Sequence, residues 1–361
     1  MAESLDRPSL IDAAWGTEEA TPPATEADPA QALATARALF EEGRLEDAWE
    51  LAELAREGLG ADPAGETEAL HLLALIARER GFLRVGEERI ARAIAVRAEL
   101  GEGAVPLAWY ELHAALALAN GEHTTAVSAW ELAAKVARSV RDATGDGTER
   151  LCIALRALGD AHLARGDLAR AREALGALVI EARALRHEGG PGSGVEGHPP
   201  VSDPTDTRSF RHLTSALQRL GDACHADHDL PAAISAYRDA VREAKRAASA
   251  SNDSSEALWD VSVGLNRLGA VQLEADQAQA AIASFEASVD ARRTLCEREG
   301  RTPHAVSSLA SSLSKLAAAL AHDGDEAGAT AAADEAAALD REAAIGEDHH
   351  ALTIVPPPIA R

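Results

Sequence analysis

The densest group of potential metal ligands or proton carriers in this sequence is Cys224-His225-Ala226-Asp227-His228-Asp229. Cys224 and His228 stand four residues apart, which puts them on one face of a helix, as a metal centre needs. A helical repeat accounts for both equally well, Cys224 as a core residue and His228 as a turn residue. No second ligand pair lies near them in sequence, and His349-His350 falls in a tail. The glycine-rich stretch after Glu188 lacks the G-x-x-x-x-G-K-[ST] pattern and follows no strand, so it cradles no phosphate. No H-E-x-x-H, nucleophile elbow or positioned carboxylate pair is present. The sequence therefore predicts no catalytic residue, no metal and no cofactor.

A second pattern is periodic. Arg219, Arg267 and Lys315 recur every 48 residues, Arg156 stands one step earlier in the preceding unit, and Gln218 and Asn266 lie beside them. Two readings fit this row. The cations and amides project from one face toward an acidic or carboxylate-bearing segment, or they pair with nearby aspartates on exposed helix flanks.

Helices must position them. Four segments align: Leu155-Arg-Ala-Leu158-Gly159-Asp160, Leu217-Gln-Arg-Leu220-Gly221-Asp222, Leu265-Asn-Arg-Leu268-Gly269-Ala270 and Leu313-Ser-Lys-Leu316-Ala317-Ala318. Their first leucines advance by 62, 48 and 48 residues. Leu213, Leu217, Leu220 and Cys224 make one apolar stripe of helical spacing, as do Leu309, Leu313, Leu316 and Leu320. Each segment leads into a turn: Gly166-Asp167, His228-Asp229, Asp276-Gln277 or Gly324-Asp325. A small residue follows (Ala171, Ala233, Ala281, Ala329), and four residues later comes Leu175, Tyr237, Phe285 or Ala333. The motif glycine is expected to let the partner helix's backbone approach, and the turn aspartate to cap the next helix. More degenerate copies surround Gly43 to Ala48, Gly81 with Ile90 and Ala93, and Gly121 with Ala126, Trp130 and Ala133. The count is seven helix pairs.

This grammar resembles the tetratricopeptide repeat family over roughly residues 31–345, best at Leu158, Gly159, Gly166 and Ala171 and at Leu220, Gly221, Ala233, Tyr237 and Ala240. The family's usual tyrosine, three residues after the motif glycine, is replaced by His162, Cys224, Gln272 or Leu320, and no repeat has the closing proline. The 48-residue period exceeds the standard 34, which predicts helices longer by about two turns in total. The resemblance implies an all-α, right-handed solenoid of about seven antiparallel pairs whose first helices line a concave groove. Asp160 and Asp222 stand where the two-carboxylate clamp of chaperone-binding members has asparagine. Long-period variants resemble arrays found beside caspase-like peptidase or NTPase modules in bacterial signalling proteins, and no stretch of these 361 residues reads as such a module.

The domain reading is an acidic tail at 1–30, repeats at 31–185, a Gly/Pro-rich insertion at 186–206 that absorbs the 14 extra residues of the long step, repeats at 207–345 and a tail at 346–361. The array either continues through the insertion or breaks there into two lobes. Leu5 to Trp15 forms a short amphipathic helix or remains a simple tail. Leu352 to Arg361 is an extended ligand-like segment or packs back on the last helix. That helix, Glu326 to Ala344, is alanine-rich with Asp and Glu, as a solenoid cap requires.

Lys and Arg number 35 against 59 Asp and Glu, a net charge of −24. Phosphate backbones and anionic membranes are repelled by such a chain. Cys152, Cys224 and Cys296, odd in number and far apart, read as reduced cytosolic thiols. The amino terminus lacks a secretory pattern. A non-catalytic, cytoplasmic scaffold for a peptide or protein partner is the expected function, with a mild preference for a monomer. The alternative is a regulatory sensor or inhibitor of a separate caspase-like peptidase, NTPase or transcription factor.

Overall fold

The computed structural model describes residues 28–100, 105–145, 147–188 and 207–353. Residues 1–27, the core of the insertion at 189–206 and the last eight residues lie outside that range, and with them the expected Leu5–Trp15 helix and most of the C-terminal segment.

All regular structure among the described residues is helical. The contacts divide the chain into two compact units, Met1–Gly103 and Ala104–Arg361, a division that the sequence reading did not anticipate. The first holds α1 (Pro29–Glu41), α2 (Leu45–Gly58), α3 (Pro63–Glu79) and α4 (Leu83–Glu99). The second holds α5 (Leu107–Ala119), α6 (His123–Thr144), α7 (Thr148–Arg165), α8 (Leu168–Glu188), α9 (Thr207–Ala226), α10 (Leu230–Ala250), α11 (Ser255–Glu274), α12 (Ala278–Glu299), α13 (Pro303–Asp323) and α14 (Glu326–Thr353). Two pairs and five pairs make the seven expected. Within each unit, helices pack chiefly on those adjacent to them in sequence.

Each pair reverses through one residue of positive φ. It is glycine in five pairs (Gly43, Gly81, Gly121, Gly166, Gly324) and His228 and Asp276 in the other two. Only glycine takes this conformation without a Cβ penalty, so the latter two turns carry a small strain. The aspartate after the turn does cap the next helix. Asp167 Oδ1 accepts from the Arg170 amide at 3.3 Å, Asp229 Oδ1 from Ala232 at 3.1 Å, and Asp325 Oδ1 from Gly328 at 2.9 Å.

The motif glycine has a different purpose from the one expected. A Cβ on Gly159 would lie 2.5 Å from Leu175, on Gly221 2.6 Å from the Tyr237 ring, and on Gly269 2.8 Å from the Phe285 ring. The missing side chain seats the bulky residue of the second helix rather than its backbone. In the last pair Ala317 replaces the glycine and Ala333 the bulky residue, so the two positions change together.

Helix length is a second correction. Helix α11 has 20 residues against 13 in α1, and α12 has 22 against 14 in α2. That is about two turns in each helix, not two in total. Two turns return the apolar stripe to nearly its original face, which keeps Leu265, Leu268 and Val271 in one core with Tyr237 and Val241. Helix α14 runs to Thr353, past residue 345 where the array was expected to end. In the first unit the core is Ala36, Ala48, Ala52, Leu72, Leu73 and Ile76.

Candidate functional site

The periodic cations sit on the first helices of successive pairs in the second unit. Arg219 on α9 donates from Nη1 to Asp160 Oδ1 on α7 at 2.6 Å. Arg267 on α11 donates from Nη1 to both oxygens of Asp222 on α9, at 2.8 and 2.6 Å. Each arginine thus reaches back one repeat to the aspartate following the motif glycine. Asp222 also accepts from the Tyr237 hydroxyl at 2.6 Å. Burial, and then this bond, push the Tyr237 phenol above its ordinary range. Burial likewise raises the Asp160 carboxyl, against the opposing pull of Arg219 and Arg156. Ion pairs this exposed contribute only about 0–1 kcal/mol each, so they order the row more than they stabilise it. Arg156 is exposed and Gln218 half-buried.

The row changes character at its third member. The residue that should face Lys315 is Ala270, and no ion pair among the described residues includes Lys315. Its ammonium is held below the ordinary value by partial burial and then by the charge of Arg292. Arg292, on α12, is only 5% exposed. Its Nε and Nη1 are buried without a hydrogen-bond partner among the described residues. The guanidinium lies 3.5 Å above the centre of the Trp259 ring, a cation–π contact, and His304 stacks on the same indole with ring centres 5.0 Å apart. Burial lowers the Arg292 pKa to about 10, which leaves the group charged at neutral pH.

A buried polar network joins the same three helices. Ser262 and Asn266 follow Trp259 on α11, Ser288 precedes Arg292 by one turn on α12, and Ser312 precedes Lys315 on α13. Asn266 Nδ2 donates to Ser312 Oγ at 3.0 Å. Ser288 Oγ donates to the Ser262 carbonyl at 3.1 Å and lies 3.3 Å from Ser312 Oγ. Asn266 Oδ1 is buried without a partner. The structure therefore bonds Asn266 to Ser312, one turn before Lys315, and ties Arg219 and Arg267 into inter-repeat ion pairs. Sequence reasoning missed Arg292, although it occupies a core stripe with Phe285, Ser288 and Cys296. A cation inside an apolar stripe was the available signal.

The Cys224–Asp229 group disperses. Cys224 is buried in the core, His225 Nε2 meets Glu274 at 2.5 Å, His228 makes the turn, and Asp227 and Asp229 bind Arg172 at 2.6 and 2.8 Å. Among the described residues no cluster of three or more His, Cys, Asp or Glu side chains converges, and no helix is long and apolar enough to cross a membrane.

No protein-family model and no curated protein matches the chain. Among solved structures, a Signal Transduction ATPase with Numerous Domains protein with a tetratricopeptide repeat sensor, from Pyrococcus horikoshii, superposes with a TM-score of 0.55 at 13% identity. The match covers 88% of this chain and 43% of that one, so the chain spans less than half its length. The C-terminal part of a TPR repeat-containing protein from Cytophaga hutchinsonii superposes with a TM-score of 0.51 at 14% identity, covering 87% and 98%. The fold is tetratricopeptide-like. In a tetratricopeptide-like array the polar row on α7, α9, α11 and α13 belongs to the first helices of successive repeats.

Proposed function

We propose that this chain is a non-catalytic interaction scaffold that holds an acidic peptide or protein segment along the first helices of its second unit, in the groove such arrays form. The single observation that carries this reading is the row itself. Arg156, Gln218, Arg219, Asn266, Arg267 and Lys315 recur at repeat spacing on one set of helices, in a chain whose net charge is −24. Arg219 and Arg267 keep about 40% of their side chains exposed while paired, so they remain open to a competing carboxylate. Stacked helix pairs supply such a surface without reactive groups. A cytoplasmic setting and a mild preference for a monomer belong to the same reading, and the net charge of −24 disfavours nucleic-acid and anionic membrane partners. Repeats at 31–185 and 207–345 flank the insertion at 186–206.

Arg219→Glu combined with Arg267→Glu is expected to weaken capture of the native partner by about 100-fold, as for paired interface hot spots, with helicity by circular dichroism unchanged. Retained affinity would move binding to the insertion, the tails or the opposite face. The second reading, a regulator of a separate effector, draws support from the Pyrococcus protein, whose repeats are named a sensor. A co-purifying enzyme whose turnover changes on binding favours it, and a passive assembly favours the scaffold.

A further inference from the structure

Glycines inside the helices of the second unit seat a neighbour: Gly159 seats Leu175, Gly221 Tyr237, Gly264 Val241 and Gly269 Phe285. Gly176 on α8 is different. A Cβ there would have no heavy atom within 4 Å. Glycine in mid-helix is unfavourable relative to alanine, so α8 gives up stability to keep that place open. It lies at the mouth of a hollow of about 580 Å³ between α8 and α10. Leu217, Leu220 and Cys224 of α9 floor the hollow, and α10 offers it the small residues Ala232, Ser235 and Ala236. Ile180, one turn beyond Gly176, stands at its edge 67% exposed, the most exposed large apolar side chain among the described residues.

The charges beside this hollow select what fits it. Arg242 and Arg246 follow Ser235 by seven and eleven residues and so continue the same face of α10, with Arg238 and Lys245 alongside. All four are exposed. Asp239 lies 2.8 Å from Arg242 and 3.5 Å from Arg183, and the buried Glu243 lies 2.9 Å from Arg246. Arg238 and Lys245 make no ion pair among the described residues. Glu173 is the remaining acid on the rim. On α12 the positions 48 residues after Arg238 and Arg242 hold Glu286 and Asp290, so the positive stripe is confined to α10. We infer that the groove between α8 and α10 docks an acidic amphipathic helix of a partner protein, which sets an apolar side chain over Gly176 and carboxylates along the α10 cations. Hollow, Ile180 and cations succeed one another at one- and two-turn steps, the steps at which a helix lying alongside presents its own side chains. An anionic membrane would meet the same cations, but the net charge of −24 sets the molecule as a whole against it. This surface belongs to second helices and is independent of the row on the first helices.

The test uses the full chain and fluorescence anisotropy with a labelled peptide made of two copies of Leu-Ala-Glu-Leu-Glu-Ala-Glu. One counterpart has Lys for Glu and another has Ala for Leu. The Glu peptide is expected to bind wild type at least about tenfold more tightly than either counterpart. Gly176→Leu, which fills the hollow, is expected to weaken binding at least about tenfold. It should melt no lower than wild type, because leucine is the better helix former and its Cβ meets nothing. Arg238→Glu combined with Lys245→Glu is expected to weaken binding and flatten its salt dependence. The Arg219→Glu/Arg267→Glu variant is expected to bind the probe as wild type does. Loss of the probe there would place it on the first helices, which overturns this inference and leaves the scaffold reading standing. No measurable binding of the Glu peptide, equal binding of the Ala-for-Leu peptide, or binding unchanged by Gly176→Leu overturns it as well. Two further results would give the groove another occupant and overturn the partner assignment. One is binding of phosphatidylserine vesicles that Gly176→Leu abolishes; the other is a dimer in sedimentation that Gly176→Leu dissociates.

Discussion

Phe285→Ala is expected to lower the stability of the second unit by about 3–5 kcal/mol, the usual cost of emptying a buried aromatic site. Phe285 is fully enclosed, and its ring lies over Gly269. Gly269→Ala alone is expected to destabilise as well. The new methyl meets ring atoms at 2.8 to 3.0 Å, and overpacking of that kind costs about 1–3 kcal/mol, which outweighs the roughly 1 kcal/mol that alanine gains over glycine in a helix. In the Phe285→Ala background the ring is gone and only the helix gain remains, so the same Gly269→Ala change should stabilise by up to about 1 kcal/mol. The effect reverses sign, and a double-mutant cycle from urea titrations followed by circular dichroism reads it directly. If Gly269→Ala keeps one sign in both backgrounds, the glycine is not there to seat the ring. The last pair, with Ala317 and Ala333, already carries the outcome of both changes.

Cys152 is expected to react with a thiol-directed aromatic disulfide about a thousandfold more slowly in the native protein than a free thiol at neutral pH. It is 4% exposed, and burial first, then Glu181 and Glu149, push its thiol from an ordinary 9.0 up to about 12. Three pH units remove about three decades of thiolate, and the thiolate is the reactive form. Burial also raises the Cys224 and Cys296 thiols. In guanidinium chloride all three should titrate promptly, which provides the internal reference. Native-state labelling of Cys152 at the free-thiol rate would contradict its burial and reopen nucleophilic chemistry. Unchanged partner capture by Cys224→Ala is the companion result expected of a core residue.

Most of the fold was legible because its determinants are local. The apolar stripe from Leu213 to Cys224, the turn residues from Gly43 to Gly324 and the capping aspartates each act within a few positions, so reading the chain in order recovers seven pairs. The polar site was only half legible. Arg219 and Arg267 were found by their period, but their partners Asp160 and Asp222 lie a whole repeat away, and spacing alone could not name them. Arg292 escaped because helical periodicity assigns a stripe position without saying what fills it. Only packing against Trp259 reveals a charge in an apolar slot. The division at residue 103 falls in Gly101-Glu-Gly103-Ala-Val-Pro106, a glycine- and proline-bearing stretch that the repeat reading passed over.

The adjacency of contacting helices has a kinetic consequence. Where contacts join segments close in sequence, few long loops must close before native interactions begin to form, and chains of that topology refold quickly for their size. Any pair within a unit can serve as the starting point, with its neighbours docking in turn. A ligand lying across α9, α11 and α13 would add to the few direct bonds these first helices already share, Arg267 with Asp222 and Asn266 with Ser312. Its arrival would show as slowed amide exchange over three pairs at once.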